Sequence, residues 1–145
     1  MAPTYTIAMC NYNMANTLAE ACRSILDQVD DQFELLVIDD ASNDQSPDVL
    51  KQLSQQYANM RYKILSPDPD RHLGEPRNIS IQEAEGEYVL PQLDADDRYD
   101  RIEGGIIEFV KLHHEIEQSL DFDFYFSRGN IIIGQRRFLL DIGPY

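Results

Sequence analysis

Short apolar segments alternate with amphipathic helical segments along most of the chain, and this alternation constrains the fold more than any other feature. Apolar runs predict strands at residues 5–10, 33–38, 62–65 and 88–93. Continuous apolar strands separated by helices are typical of a parallel sheet with helices on both faces and right-handed crossovers. The sequence therefore predicts an α/β, Rossmann-like fold with a mostly parallel central sheet.

The predicted helices have recognisable starts. Thr17 and Glu20 have the spacing of a capping box, and Ser46 followed by Pro47 has that of an N-cap and a first helical residue. A third helix is predicted over 76–84, with Gly86 ending it. Beyond these, the pattern predicts a long helix at 101–119, strands at 122–126 and 131–133, and a closing helix at 136–142.

Length and charge limit the possible functions. The 145 residues suit one domain, and 26 acidic against 12 basic residues give a formal charge of -14, which would repel nucleic acid. No apolar run is long enough for a membrane helix, and the N-terminus lacks signal-peptide features. Cys10 and Cys22 have no metal-site spacing and are expected to be buried, reduced thiols. We therefore expect a soluble, cytoplasmic chain without nucleic-acid partners.

Polar segments follow each predicted strand. They cover residues 11–13, 39–43, 66–74 and 94–97. In a parallel sheet, the loops after the strands emerge at the carboxyl edge, where ligands bind. The sequence therefore predicts one ligand site built from these four loops.

The last of these segments carries three carboxylates, on Asp94, Asp96 and Asp97. Each close pair repels by roughly 1 to 4 kcal/mol, so a divalent cation would stabilise the group. Neither standard glycine-rich phosphate cradle occurs in the chain. Asp94 and Asp96 offer the hard oxygen ligands that Mg²⁺ or Mn²⁺ takes while leaving positions open for phosphates.

Five segments of the chain resemble, in order, the motifs of the family 2 glycosyltransferases. They are IAMCNYN at 7–13, ELLVIDDASND at 34–44, GEPRN at 74–78, GEYV at 86–89 and LDADDR at 93–98. These are inverting, nucleotide-sugar-dependent enzymes of the GT-A fold. The resemblance implies a UDP- or GDP-sugar donor, a Mg²⁺ or Mn²⁺ cofactor, and transfer to a hydroxyl of a glycan, a lipid-linked sugar or another acceptor.

The resemblance also implies roles for individual residues. Tyr12 would lie against the nucleotide base, Asp40 would bond the base or ribose, and Asp39 would orient the pocket. Asp94 would lie near the ribose and metal, with Asp96 as the main metal ligand. The remaining nucleotide-sugar contacts would come from Cys10, Asn13, Arg77 and Asn78.

The chain departs from the family pattern at several points. Cys10 stands where the family usually has proline, and Pro76 where it usually has alanine. The segment 135–145 looks like the family's Arg-Arg, apolar, glycine segment, and the motif that supplies the catalytic base would follow Tyr145. Residues 1–145 are therefore expected to form a single donor-binding domain, C-terminally truncated, with membrane association left to parts that this chain does not contain.

Simpler roles explain some of these residues individually. Tyr12 could pack at a strand end, Asp39 and Asp40 could cap a helix or form a turn before Pro47, and Arg77 could pair with Glu75 or Glu83. The acidic residues after the fourth strand could simply begin a helix. Arg136 and Arg137 could reach a diphosphate, but solvated helix residues explain them more simply.

Two other functions also remain open. The first is a truncated or degenerate nucleotide-sugar-binding domain without transferase activity. The second is a phosphoacceptor signalling module, which would need an acidic pair after the first strand and a lysine after the last; no lysine follows Lys111.

Overall fold

The computed structural model describes residues 2–72, 74–95, 126–128 and 131–136. Strands and helices alternate through its first part: β1 (Tyr5–Asn11), α1 (Ala15–Leu26), β2 (Phe33–Asp39), α2 (Ser46–Gln56), β3 (Met60–Ile64), α3 (Glu75–Glu83) and β4 (Tyr88–Asp94). Two more strands follow, β5 (Phe126–Arg128) and β6 (Ile131–Gln135). The predicted helix at 101–119 and most of the predicted closing helix lie outside the described residues.

The strands form one sheet in the order β3-β2-β1-β4-β6-β5. The first four strands are parallel, whereas β6 runs antiparallel to both β4 and β5. The predicted α/β fold with a mostly parallel sheet is therefore confirmed. This order puts β1 between β2 and β4, so that the loops after these three strands are neighbours.

Helices cover both faces of the sheet, as predicted. On one face, α1 and α2 bury the odd-numbered residues of β1 and β2, and this main core includes Ile7, Met9, Leu35 and Val37. On the other face, α3 packs through Ile81 and Ala84 against Ala8 and Val89. Both faces of the central strands are thus mainly apolar, which explains why hydrophobic residues follow one another along them.

Neither Cys10 nor Cys22 forms a disulfide, and only Cys22 is fully buried. Burial raises the pKa of the Cys22 thiol to about 12, so it stays protonated and behaves as a small apolar residue. Cys10 is half-buried at the end of β1, which corrects the expectation that both thiols are enclosed.

The predicted helix starts were wrong by a few residues. Helix α1 begins at Ala15, after an N-cap residue, Met14, that makes no side-chain cap bond, so Thr17 lies inside the first turn instead of capping it. Helix α2 begins at Ser46 with Gln45 as its N-cap. In both cases the capping acceptor comes from Asp44, whose carboxylate accepts from the backbone N–H groups of Ala15 and Ser46, each at 2.9 Å or less.

Gly86 also has a different role from the predicted one. Helix α3 ends at Glu83, with Ala84 extended after it, so Gly86 does not end the helix. Its backbone N–H donates to Thr6 Oγ1 at 2.9 Å, and a Cβ on Gly86 would lie 2.5 Å from the backbone nitrogen of Thr6. Only a residue without a side chain fits so close to β1.

Thr6 belongs to a polar cluster on the α3 face. Its hydroxyl donates to Glu34 at 2.6 Å, and the same carboxylate accepts from the Arg61 guanidinium at 2.7 Å and from the Glu85 N–H at 2.9 Å. Burial alone would raise the pKa of Glu34, but the hydrogen bonds from Arg61, Thr6 and Glu85 outweigh it and lower that pKa. The buried carboxylate is therefore held in its charged form.

We predict that Glu34 makes the fold acid-sensitive. The pKa of Glu34 is lower in the folded chain than in the unfolded chain, where it is about 4.3. The charged carboxylate therefore stabilises the fold above about pH 4.3, and this contribution is lost as the pH falls through the pKa of the folded chain. Glu34→Gln should lower the free energy of unfolding by about 1.5 kcal/mol at neutral pH, and this difference should shrink below about pH 4. Urea unfolding across this pH range measures it.

The exposed Glu87 provides a matched control. Glu87→Gln removes the same charge and should change the free energy of unfolding by less than about 0.5 kcal/mol. A Glu34→Gln difference that stayed constant down to pH 3 would contradict the assigned role of the carboxylate.

Candidate functional site

The structure brings the predicted polar segments together at the carboxyl edge of the sheet. Asn11 is paired with Asp39 across β1 and β2, and Cys10 is paired with Asp94 across β1 and β4. The backbone N–H of Asp40 donates to the carbonyl of Asn11 at 2.9 Å. The ends of β1, β2 and β4 thus form one continuous edge.

Asp39 lies under this edge. Its side chain is fully buried, and Oδ1 accepts from Asn11 Nδ2 and Ser42 Oγ, both at 2.7 Å, while Oδ2 accepts from the Ser42 N–H at 2.9 Å. The bonds to Ser42 are those of a turn-forming aspartate. Asp39 therefore holds the loop after β2 against the end of β1, a role that fits orienting a pocket better than contacting a ligand.

The loop after β1 is held by the same group. Asn13 donates its backbone N–H to Ser42 Oγ at 2.9 Å and accepts, through Oδ1, from the Asn43 N–H at 2.8 Å. Asn13 has φ 52° and Ala41 has φ 55°, both in the left-handed region that a non-glycine residue adopts at a cost. The hydrogen bonds of the two loops compensate for this strain and fix one shape of the edge.

Tyr12 lies on the outer side of that loop, with 57% of its surface exposed. The alternative of a packing aromatic does not fit this exposure. A large aromatic side chain left in solvent beside the polar edge of the sheet offers a flat surface on which a planar group can stack.

Asp40 has a partner that the sequence did not predict. Its carboxylate forms a salt bridge with Arg71, from the loop between β3 and α3, and Arg71 also donates to the carbonyl of Ser66 at 2.6 Å. The Arg71 side chain is only 9% exposed, and its buried Nε–H has no acceptor among the described residues. Asp40 is therefore neither a helix cap nor a free acid, and the pair leaves an unused donor at the edge.

The structure describes only part of the two remaining segments, the start of α3 and the acidic segment at the end of β4. Arg77 and Asn78 lie in the first turn of α3, half-buried, and Asp94 ends β4. The side chain of Asp94, and Asp96 and Asp97 entirely, lie outside the described residues. Within the described residues, no group of three or more His, Cys, Asp or Glu side chains could hold a metal ion. The roles predicted for Asp94 and Asp96 at a metal ion therefore stay predictions.

Arg136 lies away from this edge. Its guanidinium donates to the carbonyls of Ile81 and Gln82 at the end of α3, at 2.9 and 2.6 Å. The backbone N–H of Arg136 donates to the carbonyl of Glu87. These contacts stabilise a helix C-terminus and place Arg136 near the start of β4. Arg137 lies outside the described residues.

Solved structures share this architecture. The chain superimposes on residues 1–349 of TarS from Staphylococcus aureus, solved with UDP-GlcNAc, with a TM-score of 0.72 and 20% identity over 95% of this chain and 47% of that one. It superimposes on the mannosyltransferase PcManGT of Pyrobaculum calidifontis, solved with GDP-Man and Mn²⁺, with a TM-score of 0.74 and 18% identity over 100% of this chain and 48% of that one. The fold is therefore the Rossmann-like GT-A fold of glycosyltransferases.

Sequence comparison identifies the family. Residues 6–109 match Glycosyl transferase family 2. The chain is 35% identical over 95 residues to the putative glycosyltransferase EpsE of Bacillus subtilis, covering 66% of this chain and 34% of EpsE. It is 32% identical over 102 residues to the succinoglycan biosynthesis protein ExoO of Rhizobium meliloti, covering 69% of this chain and 28% of ExoO. The chain belongs to glycosyl transferase family 2, and the resemblance seen in its motifs is confirmed.

The chain spans less than half the length of these relatives. Among the described residues, no helix is both long and apolar enough to cross a membrane.

Proposed function

We propose that this chain binds a nucleoside-diphosphate sugar and that the protein transfers the sugar to an acceptor hydroxyl with inversion. The observation that carries the proposal is the Asp40–Arg71 pair at the carboxyl edge of a family 2 sheet, held by a buried network beneath it. The ligands of similar folds support it, since TarS was solved with UDP-GlcNAc and PcManGT with GDP-Man.

The base end of the donor would lie in the cleft between the loops after β1, β2 and β3. Tyr12 would stack on the base, and the Asp40–Arg71 pair would supply both an acceptor and donors to its polar edge. A nucleobase carries donors and acceptors side by side, so a charged pair can satisfy both kinds. Cys10 and Asn13 would line the same cleft, with Arg77 and Asn78 closing it on the side of α3.

The diphosphate end would lie over β4. Its charge would meet the carboxylates of Asp94 and Asp96 in a chain with a formal charge of -14, which requires a counter-charge. A Mg²⁺ or Mn²⁺ ion held by these two aspartates would supply that charge and offset the negative charge of the departing diphosphate. Oxygen ligands from two carboxylates, completed by phosphate oxygens, suit these ions, and PcManGT was solved with Mn²⁺.

In the transfer step, an acceptor oxygen would attack the anomeric carbon from the side opposite the diphosphate. The new carbon–oxygen bond would form as the bond to the diphosphate breaks, and a carboxylate base would take the hydroxyl proton. We place this base beyond Tyr145, together with the acceptor site for a glycan, a lipid-linked sugar or another hydroxyl. The reaction would take place in the cytoplasm, and the transferred group would be a hexose or a related sugar.

A second candidate is a donor-binding domain without transferase activity. The Asp40–Arg71 pair supports it equally, because that pair bears on donor binding and not on the transfer step. Both functions require donor binding, and only the first gives product with an acceptor.

Calorimetric titration with UDP and GDP, each with Mn²⁺, tests the proposal. We expect one of the two to bind, and Asp96→Ala or a chelator to weaken binding at least about 100-fold, or about 2.7 kcal/mol. Arg71→Met should weaken it about tenfold by removing the donors beside Asp40.

Asp31→Ala is the control for charge, because Asp31 is exposed just before β2, at the opposite edge of the sheet. It should leave the affinity within about twofold. Unchanged affinity in Asp96→Ala and with chelator would disprove the role of the metal, and no binding of either nucleotide would disprove donor binding itself.

A further inference from the structure

The first turn of α1 touches two loops of the candidate site. Its first residue, Ala15, donates its backbone N–H to Asp44 Oδ2 at 2.9 Å, which ties the helix to the loop after β2. Two residues further on, Thr17 Oγ1 donates to the carbonyl of Ala95 at 2.9 Å, which ties the same helix to the end of β4. A single helical turn thus joins the loop that carries Asp40 to the segment that carries the acidic residues.

The bond from Thr17 reaches the chain directly beside the predicted metal ligands. Ala95 lies between Asp94 and Asp96 in sequence, and its side chain is buried in the main core. The hydrogen bond from Thr17 restrains the Ala95 carbonyl, which directly follows β4. The Thr17 hydroxyl therefore ties the end of β4 to the first turn of α1.

The helix itself does not require this hydroxyl. Threonine forms helices less readily than alanine, and the other contact of the hydroxyl, with the Met14 carbonyl of the same turn, is longer at 3.3 Å. The side chain is half-buried and contributes little to the main core. Its closest polar contact is the one to Ala95.

We infer that Thr17 is a positioning residue that holds the backbone at the end of β4, at Asp94 and Ala95, at a fixed distance from the loop after β2. The inference rests on the proposed function, because it concerns the two ends of the same donor site. The base end is held by Asp39, Ser42 and Asp44, none of which depends on the Thr17 hydroxyl. Loss of that hydroxyl should therefore weaken the diphosphate end and spare the base end.

Three variants separate this role from a structural one. Thr17→Val keeps the shape and loses the hydroxyl, Thr17→Ser keeps the hydroxyl, and Thr17→Ala loses it while favouring the helix. Each is titrated with Mn²⁺ and UDP and, separately, with UMP, or with GDP and GMP if the unaltered chain binds those. Thermal unfolding shows that each variant is folded, and Thr17→Ala replaces Thr17→Val if the valine variant is not.

We expect Thr17→Val and Thr17→Ala to bind the diphosphate about fivefold to tenfold more weakly, the cost of one hydrogen bond, with the monophosphate changed less than about twofold. Thr17→Ser should bind both nucleotides as the unaltered chain does. Amide exchange in a peptide covering 94–97 should become faster in the variants without the hydroxyl and stay unchanged in Thr17→Ser.

Equal losses for diphosphate and monophosphate, or unchanged binding in Thr17→Val and Thr17→Ala, would overturn the positioning role alone. Failure of the unaltered chain to bind any of these nucleotides would overturn the proposed function, and this inference with it. The two failures are thus distinguished by the behaviour of the unaltered chain.

Discussion

Replacing Gly86 with alanine should lower the free energy of unfolding by about 3 kcal/mol, the upper range for forcing extra volume into a packed site. The new Cβ would lie 2.5 Å from the Thr6 nitrogen and 2.7 Å from both Thr6 Oγ1 and the Tyr5 carbonyl carbon. Two of these neighbours are backbone atoms of β1, which cannot move without disturbing its pairing with β2 and β4. Thermal unfolding should show a midpoint lower by about 10 °C.

Gly74→Ala is the matched control. Gly74 has φ -77° and ψ -18°, a conformation that alanine adopts readily, so the same substitution should cost less than about 1 kcal/mol. Equal stability of the two variants would show that β1 and the turn before β4 separate easily. It would therefore contradict the tight approach assigned to Gly86.

Replacing Asp39 with alanine should have the second large effect, on stability and on the candidate site together. It removes the Asp39 acceptor from three donors, Asn11 Nδ2, Ser42 Oγ and the Ser42 N–H, all next to a fully buried position. Asn11 Nδ2 keeps only a longer bond to Ser42 Oγ, at 3.3 Å. We expect a loss of about 3 kcal/mol in the free energy of unfolding. We also expect nucleotide affinity to fall at least about tenfold, because the loop that carries Asp40 loses its anchor.

The measurements are urea unfolding and calorimetric titration with UDP or GDP. Ser42→Ala should give an intermediate result, since it removes the hydroxyl but keeps the Ser42 N–H bond to Asp39. Asp31→Ala removes one charge from an exposed site and should be neutral in both measurements. An Asp39→Ala variant that matched Asp31→Ala would show that the buried network does not support the site.

The fold could be predicted because its signals are local. Strands β1 and β2 are mainly apolar runs, interrupted only by Thr6 and Glu34 before their polar last residues, and α1 presents Leu18, Cys22 and Ile25 at helical spacing. Each of these patterns is complete within a few residues, and the parallel order follows from the helical connections between them. The predicted bounds of the first four strands were accordingly close, with β3 shifted toward Met60 because its pairing with Leu35 extends it. The strand predicted at 122–126 was less accurate, since the described strand there is Phe126–Arg128.

The parts that could not be predicted depend on residues far apart in sequence. Asp44 caps α1 from 29 residues away, and Thr17 reaches Ala95 across 78. The salt bridge between Asp40 and Arg71 depends on the path of a loop with no periodic pattern. A local signal for Arg71 was present, since it is a lone basic residue after two Pro-Asp pairs, but only the folded chain places it beside Asp40.

Asp44 has a consequence for how this edge attracts ions. The start of a helix carries a partial positive charge, and the N-termini of both α1 and α2 are turned toward this one carboxylate. Burial alone would raise the pKa of Asp44, but hydrogen bonds from Ser46 and from the Ala15 N–H outweigh it and keep the pKa low, so the compensation persists in mildly acidic solution. The partial positive charges of the two helix N-termini are therefore already compensated by Asp44. Binding of an anion at this edge depends instead on Arg71 or on a cation bound together with the anion.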